Sequence, residues 1–256
     1  MSNSCADDFG GYGATAIDSL STAIIFGKED VVLQILEYIA TLDWKVVKDG
    51  SRIQLFEVTI RHFAAMISAW DLLNGPFSSM AQDATLRQQL YDRMVELGDA
   101  LSCAFDTPSG VPRDWIDPAA CESDRGTTNT IASAGTLILE FGRLSDITND
   151  RKYVQLAQRA ENFLLKPKPA SGEPFPALLG SFIYVQDGSI ADTSGSWGAF
   201  ADCKAASALL SFASSKVSSA DYVTQLSTNT FLKLTSTTAS STASISTAGS
   251  SPPTPR

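Results

Sequence analysis

Six stretches of helical period follow one another along this chain: Gly13–Phe26, Asp30–Leu42, Gln54–Leu73, Thr85–Phe105, Thr130–Ile147 and Arg151–Leu165. Glycine and proline punctuate the gaps, as at Asn74-Gly75-Pro76 and Asp106-Thr107-Pro108-Ser109-Gly110. A rhythm runs through them: an apolar helix, a short turn, then a more amphipathic helix. Leu55–Leu73 precedes Leu86–Leu101, and Ile131–Leu144 precedes Tyr153–Leu165. These units read as αα-hairpins, and several in series predict a helical toroid or solenoid. The hairpin sequences barely match one another, so the repeat is architectural. The fold class is all-α. No long alternating run predicts a large sheet, although short hairpins fit the loops after Phe105 and Pro174.

Composition narrows the function. The chain has 256 residues, 44% of them hydrophobic, which suits one large domain or two small ones. Its formal net charge of −9, without a basic patch, argues against nucleic acid or an anionic membrane as partner. No segment approaches the ~20 apolar residues of a membrane span, and Met1 to Gly11 holds no apolar core of a signal peptide. Cys5, Cys103, Cys121 and Cys203 are scattered without CxxC spacing, which speaks against zinc and leaves both their pairing and the redox compartment open. From Cys203 onward Ser, Thr and Ala make up more than half of the residues, and Thr235–Arg256 is low in complexity. Two regions are expected: a helical domain over 1–202, and a Ser/Thr/Ala-rich tail over 203–256 that is largely disordered.

The helix Gln54–Leu73 carries a narrow polar stripe. At 100° per residue Gln54, Glu57, Arg61, Ser68 and Asp71 fall within about 100° of arc, while the rest of the surface is large and apolar. Such a helix can wall a polar cavity, or it can be a surface helix with a Glu57–Arg61 pair at i,i+4. Thr130–Ile147 repeats the arrangement. Glu140 follows Leu137-Ile138-Leu139 directly, with Arg143 one turn on. A carboxylate in so apolar a run must be paired, protonated or functional, and Arg143 is the nearest structural partner. Asp18 is the only charged residue between Phe9 and Phe26, and an ordinary hydrogen bond to a neighbouring helix would account for it. His62, the one histidine, lies off the polar stripe and reads as structural. Phe9-Gly10-Gly11-Tyr12-Gly13 follows no strand and so does not read as a phosphate loop.

Several segments resemble motifs of the class I α-1,2-mannosidases, glycoside hydrolase family 47. Asp8-Phe9-Gly10-Gly11-Tyr12-Gly13-Ala14-Thr15-Ala16-Ile17-Asp18-Ser19-Leu20 resembles the family's opening FGG-GAT-VDAL segment, and Phe56-Glu57-Val58-Thr59-Ile60-Arg61 its FETTIR motif. Ala104-Phe105-Asp106-Thr107-Pro108-Ser109-Gly110-Val111-Pro112 resembles its AFDTPTGIP loop, and Gly135 to Leu144 its GTLQLEF-RL helix. Ser171-Gly172-Glu173-Pro174-Phe175-Pro176 is most similar to secreted fungal members. The resemblance implies the N-terminal portion of an (αα)7 barrel, a secretory or extracellular location, and calcium as cofactor. It implies removal of α-1,2-linked mannose from high-mannose N-glycans with inversion. An acid protonates the leaving oxygen and a carboxylate activates water across the sugar ring.

Carried over by motif, Glu57 matches the family's general acid, and Arg61 a sugar or carboxylate contact. Asp18 and Glu140 match acidic residues of the substrate cavity, and Asp202, in Trp197-Gly198-Ala199-Phe200-Ala201-Asp202, a second catalytic carboxylate. The departures are equally specific. After Asp202 the family continues Ser-Phe-Tyr-Glu-Tyr-Leu, whereas this chain continues Cys203-Lys204-Ala205-Ala206, with Ala206 at an acidic position; Ser21 replaces an aspartate of the opening segment. The hairpins that carry the family's general base, its conserved disulfide and its calcium-binding threonine find no match, so no metal ligand is assigned. The expectation is a truncated product of weak or no activity, or else a fragment or lectin-like binder of mannose glycans.

Overall fold

The computed structural model describes residues 9–50, 52–167 and 179–195. Nine α-helices lie among them: α1 Ala14–Asp18, α2 Leu20–Ile25, α3 Glu29–Ala40, α4 Leu55–Val58, α5 Ala64–Asn74, α6 Ala84–Ser102, α7 Ile131–Gly135, α8 Ile138–Thr148 and α9 Lys152–Leu165. Each has a local cause. Asp83 caps α6 by accepting from the Thr85 amide at 2.7 Å, and Thr130 caps α7 by accepting from the Ser133 amide at 3.0 Å. Gly27 ends α2 with φ 68°, while the Lys28 amide reaches back to the Ala23 carbonyl at 3.0 Å, a glycine stop that satisfies an orphan carbonyl.

The hairpins predicted from sequence are present and stack in two rows. α2 packs on α5 and α5 on α8, forming an inner row; α3 packs on α6 and α6 on α9, forming an outer row. Because α4 meets α7 while α5 meets α8, the inner runs lie parallel, one hairpin's start beside the next hairpin's start. Hairpins joined in series repeat the same direction in each row, as a curved helical layer requires. The described hairpins form an arc and do not close into a barrel.

Every inner run is interrupted, which periodicity did not predict. Ser19 separates α1 from α2, and Thr136-Leu137 separates α7 from α8. Between α4 and α5 the chain winds as a π-helix over Thr59–Phe63. Single π-turns inside α-helices recur at functional sites. Here the three interruptions adjoin Asp18, Arg61 and Glu140.

The main core lies between the rows. Phe141 stands at its centre, with ring centroids of Phe63, Phe105 and Tyr153 at 5.7, 5.3 and 6.3 Å, all in edge-to-face attitudes. His62 is fully buried beside Tyr12 and Trp44, with ring centroids 5.9 and 6.2 Å away, in keeping with a structural role. Two small sheets sit among the loops. β1 Ile53–Gln54, β2 Trp115–Asp117 and β3 Glu122–Ser123 pair in that order, antiparallel. β4 Thr128–Thr130 pairs with β5 Phe182–Tyr184, also antiparallel. A disulfide joins Cys103, past the end of α6, to Cys121 in the β2–β3 turn. The boundary after Asp202 and the tail lie outside the described residues.

Candidate active site

Asp18, Glu57 and Arg61 come together from two parallel inner runs. Arg61 Nε donates to Glu57 Oε2 at 2.8 Å, and Arg61 Nη1 lies 3.7 Å from Asp18 Oδ2. The guanidinium also stands 5.1 Å from the centroid of the Phe9 ring, a cation–π contact that fixes its plane. The i,i+4 pair of the surface reading is therefore present, and a second acid from another helix joins it. The Glu57 and Arg61 side chains keep 22% and 38% of their exposure, so the cluster is open to a ligand.

A third acid stands beside them that no motif had marked. Asp114 Oδ2 accepts from Gln54 Nε2 at 3.0 Å, and its Oδ1 accepts from the Ser133 hydroxyl at 3.4 Å. Burial holds its carboxyl above the usual carboxylate range, and the charges of Asp124 and Glu57 push the same way. Its signal in sequence is slight: an acid two residues past the Thr107-Pro108-Ser109-Gly110-Val111-Pro112 loop, just before Trp115.

Glu140 is not with this group. It lines a cavity of about 330 Å³ in the groove between α5 and α8, together with Ala64, Ile67, Ser68, Asp71, Leu72 and Leu139. The expected pairing with Arg143 is overturned. Arg143 turns to Asp71, donating from Nε at 2.9 Å and Nη2 at 2.7 Å, because Asp71 offers both oxygens to the guanidinium fork. Glu140 is left buried with Oε2 unpartnered, and burial pushes its carboxyl up to about 7. The polar stripe is thus divided. Gln54 belongs to β1, Glu57 and Arg61 join Asp18, and Ser68 and Asp71 line the Glu140 cavity, with Arg61 itself inside the π segment.

Asp202 lies outside the described residues. Among the described residues no three His, Cys, Asp or Glu side chains gather as a cation site requires. Arg61 occupies Asp18 and Glu57, and Arg143 occupies Asp71. These residues do not fit a calcium ion, which needs several oxygens free of competing cations.

Comparison with known proteins decides the family. The model of glycosyl hydrolase family 47 matches residues 1–222. The chain belongs to glycosyl hydrolase family 47. It is 49% identical over 197 residues to a mannosyl-oligosaccharide alpha-1,2-mannosidase of Penicillium citrinum, across 77% of this chain and 38% of that one. It is 47% identical over 197 residues to mannosyl-oligosaccharide alpha-1,2-mannosidase 1B of Aspergillus oryzae, with the same coverage of 77% and 38%. The solved alpha-1,2-mannosidase from Trichoderma reesei superposes with a TM-score of 0.84 at 35% identity, covering 93% of this chain and 48% of that structure. The chain thus spans about half the length of that family 47 structure and less of the curated relatives. The arc of αα-hairpins accords with that fold.

Proposed function

We propose that this chain carries the acid side of an inverting α-1,2-mannosidase site for high-mannose N-glycans. The observation that carries the reading is Glu57 held by Arg61 beside Asp18, half-open to solvent, where parallel inner helices meet. Within a family 47 fold, Glu57 gives its proton to the glycosidic oxygen as the bond to the anomeric carbon lengthens. Arg61 fixes the direction of that carboxyl and, with Asp18, holds hydroxyls of the sugar. Asp114 and its hydrogen-bonded Gln54 line the approach. Glu140 receives a further hydroxyl at the groove between α5 and α8. Asp202 is the second carboxylate of the proposed set.

An inverting reaction also needs a base across the ring, with room of about 6.5–9.5 Å between the carboxyls for water. Cys203-Lys204-Ala205-Ala206 does not reproduce the motif that follows the aspartate in the family. We therefore infer that these 256 residues bind mannosides and hydrolyse them slowly, because Ala206 stands where that motif has a carboxylate and loss of an acid–base group costs about 10²–10⁴ in rate. Binding without turnover, as in a lectin-like module, is the second reading, and the same departure favours it. The secretory pathway is the proposed setting, supported by the Cys103–Cys121 disulfide. No helix among the described residues is long and apolar enough to cross a membrane.

The test is purified chain with α-1,2-mannobiose in calcium buffer, followed by proton NMR of the anomeric signals, with Glu57→Gln as control. Binding with slow release of β-mannose, abolished in Glu57→Gln, is expected. Release of α-mannose would refute inversion. Failure of the native chain to bind any mannoside would refute the site.

A further inference from the structure

We propose that the outer face of the β1–β2 ribbon, centred on Trp115, is a carbohydrate subsite holding the mannose residue next along the oligosaccharide from the Glu57 cluster. The proposal rests on the glycosidase reading above and adds to it a site for a second sugar.

The register of the ribbon places the residues. Ile53 pairs with Ile116 and Gln54 with Trp115. Directly opposed residues share a face of the ribbon. Ile53 and Ile116 are 1% and 0% exposed, so theirs is the inner face. Gln54 and Trp115 therefore stand together on the outer face, with Cβ atoms about 5 Å apart. Alternation along β2 puts Asp117 on that same face, opposite Glu122. Trp115 leaves 43% of its surface in water although the ribbon's packing is already supplied by Ile53 and Ile116. A large ring left 43% exposed on the outer side of a short strand is placed for contact with something else.

The face is continuous with the candidate site. Gln54 stands at the N-cap position of α4 and Glu57 three residues on, so the two lie on one side of the first turn. The Gln54 amide is anchored on Asp114, whose carboxyl feels the charge of Glu57. Trp115, Gln54, Asp114 and Glu57 thus form one path from an exposed indole to the proposed acid.

That combination fits a pyranose better than a peptide or a lipid. A sugar ring has a face of polarised C–H groups, which settles on the negative face of an indole, and a rim of hydroxyls that donate to carboxylates and accept from an amide. With one mannose at Glu57, the next ring of the chain lies about one sugar length away, within reach of the ribbon. The subsite would thus prefer oligosaccharides to single sugars.

The experiment uses the full chain with the Glu57→Gln substitution, so that no substrate is consumed. Affinities for methyl α-mannoside, α-1,2-mannobiose and α-1,2-mannotriose are measured by calorimetry, with and without Trp115→Ala or Trp115→Phe, and each variant is melted. Trp115→Ala is expected to weaken both α-1,2-mannobiose and α-1,2-mannotriose about tenfold, the order of one lost ring contact. It should leave methyl α-mannoside and the melting temperature unchanged, and Trp115→Phe should recover most of the loss. Unchanged mannotriose affinity in Trp115→Ala, with methyl α-mannoside still bound, would overturn the subsite and leave the glycosidase reading standing. Equal weakening of all three sugars with a lowered melting temperature would show a structural role and also overturn it. No binding of any sugar by the background chain or the native chain would overturn both.

Discussion

Arg143 closes a two-pronged ion pair on Asp71, with nitrogen–oxygen distances of 2.9 and 2.7 Å, and so leaves Glu140, one turn earlier on its own helix, without a cation. The pair spans 72 residues of sequence and ties α5 to α8 across the groove. Its side chains keep 45% and 40% of their exposure, so its own contribution is at most about 1 kcal/mol. Its larger effect is on Glu140, whose Oε2 is buried without a hydrogen-bond partner.

Glu140 should therefore make stability fall as pH rises. Burial lifts its carboxyl to about 7 in the folded chain, against 4.5 as the ordinary value. Between those values the folded state holds a proton that the unfolded state has released, so folding weakens with rising pH and levels off above about 7. The span corresponds to about 3 kcal/mol as an order of magnitude. Urea titrations at pH 4.5 and pH 8 should show Glu140→Gln near native stability at the lower pH and more stable than native at the higher. Parallel pH profiles for the two proteins would contradict the assignment.

The Cys103–Cys121 bridge should carry a large share of the stability of the loops around Asp114. It closes a sequence separation of 18 residues, for which chain entropy gives about 3 kcal/mol. It pins the end of α6 to the turn that follows β2, and β2 begins at Trp115. Cys103→Ser is expected to lower the urea midpoint. Reductant should lower the midpoint of the native chain to match and leave Cys103→Ser unmoved. An identical midpoint with and without reductant in the native chain would refute this.

The hairpin rhythm was legible because period and punctuation are local. Apolar spacing, Asp83 and Thr130 as caps, and the Gly27 stop all act within a few residues of where they stand. The Glu57–Arg61 pair was legible for the same reason, being one helical turn apart. The interruptions were not. Thr59-Ile60-Arg61-His62-Phe63 contains neither glycine nor proline, so nothing in it announces a π-turn, and the packing of His62 against Tyr12 and Trp44 acts through distant residues. The partner of Arg143 was misread because Glu140, three residues before it, is not the acid that presents both oxygens to the guanidinium. Asp114 escaped notice because it lies in a loop, where no period marks a buried face. The family motifs singled out Asp18, Glu57 and Arg61 one by one; that Asp18 joins the Glu57–Arg61 pair emerges only from the parallel packing of the inner runs.

Gly98 should tolerate no side chain. It lies on α6 where that helix meets the centre of the core, and a Cβ there would collide with Leu144 Cδ2 and press on Phe63 Cζ at 3.3 Å. Overpacking of this kind costs about 1–3 kcal/mol, against a gain of up to about 1 kcal/mol from the better helix propensity of alanine. Gly98→Ala should therefore be less stable than native by about 1–2 kcal/mol in urea unfolding. A more stable variant would mean that α6 can withdraw from α8 without loss.

Arg61 should couple more strongly to Glu57 than to Asp18, and its removal should damage binding more than folding. The Glu57 contact is a direct hydrogen bond of 2.8 Å within one helix, while the Asp18 contact is 3.7 Å and bridges two runs. All three side chains keep between 22% and 49% of their exposure, so solvent screens both pairs. An i,i+4 pair of this kind contributes about 0.3–0.5 kcal/mol, and the longer pair less. Double-mutant cycles with Arg61→Ala, Glu57→Gln and Asp18→Asn, read by urea unfolding at low salt, should give that order, and both couplings should shrink in 1 M salt as screening shortens to about 3 Å. The same Arg61→Ala variant should bind α-1,2-mannobiose at least tenfold more weakly than native, because a bidentate donor to sugar hydroxyls and the fixed direction of the Glu57 carboxyl are lost together. Arg61→Lys should restore charge and much of the ion pairing but little of the binding, since an ammonium lacks the planar fork that spans two acceptors. A lysine variant that bound mannobiose as the native chain does would show that charge alone, without the geometry of the guanidinium, is what the cluster supplies.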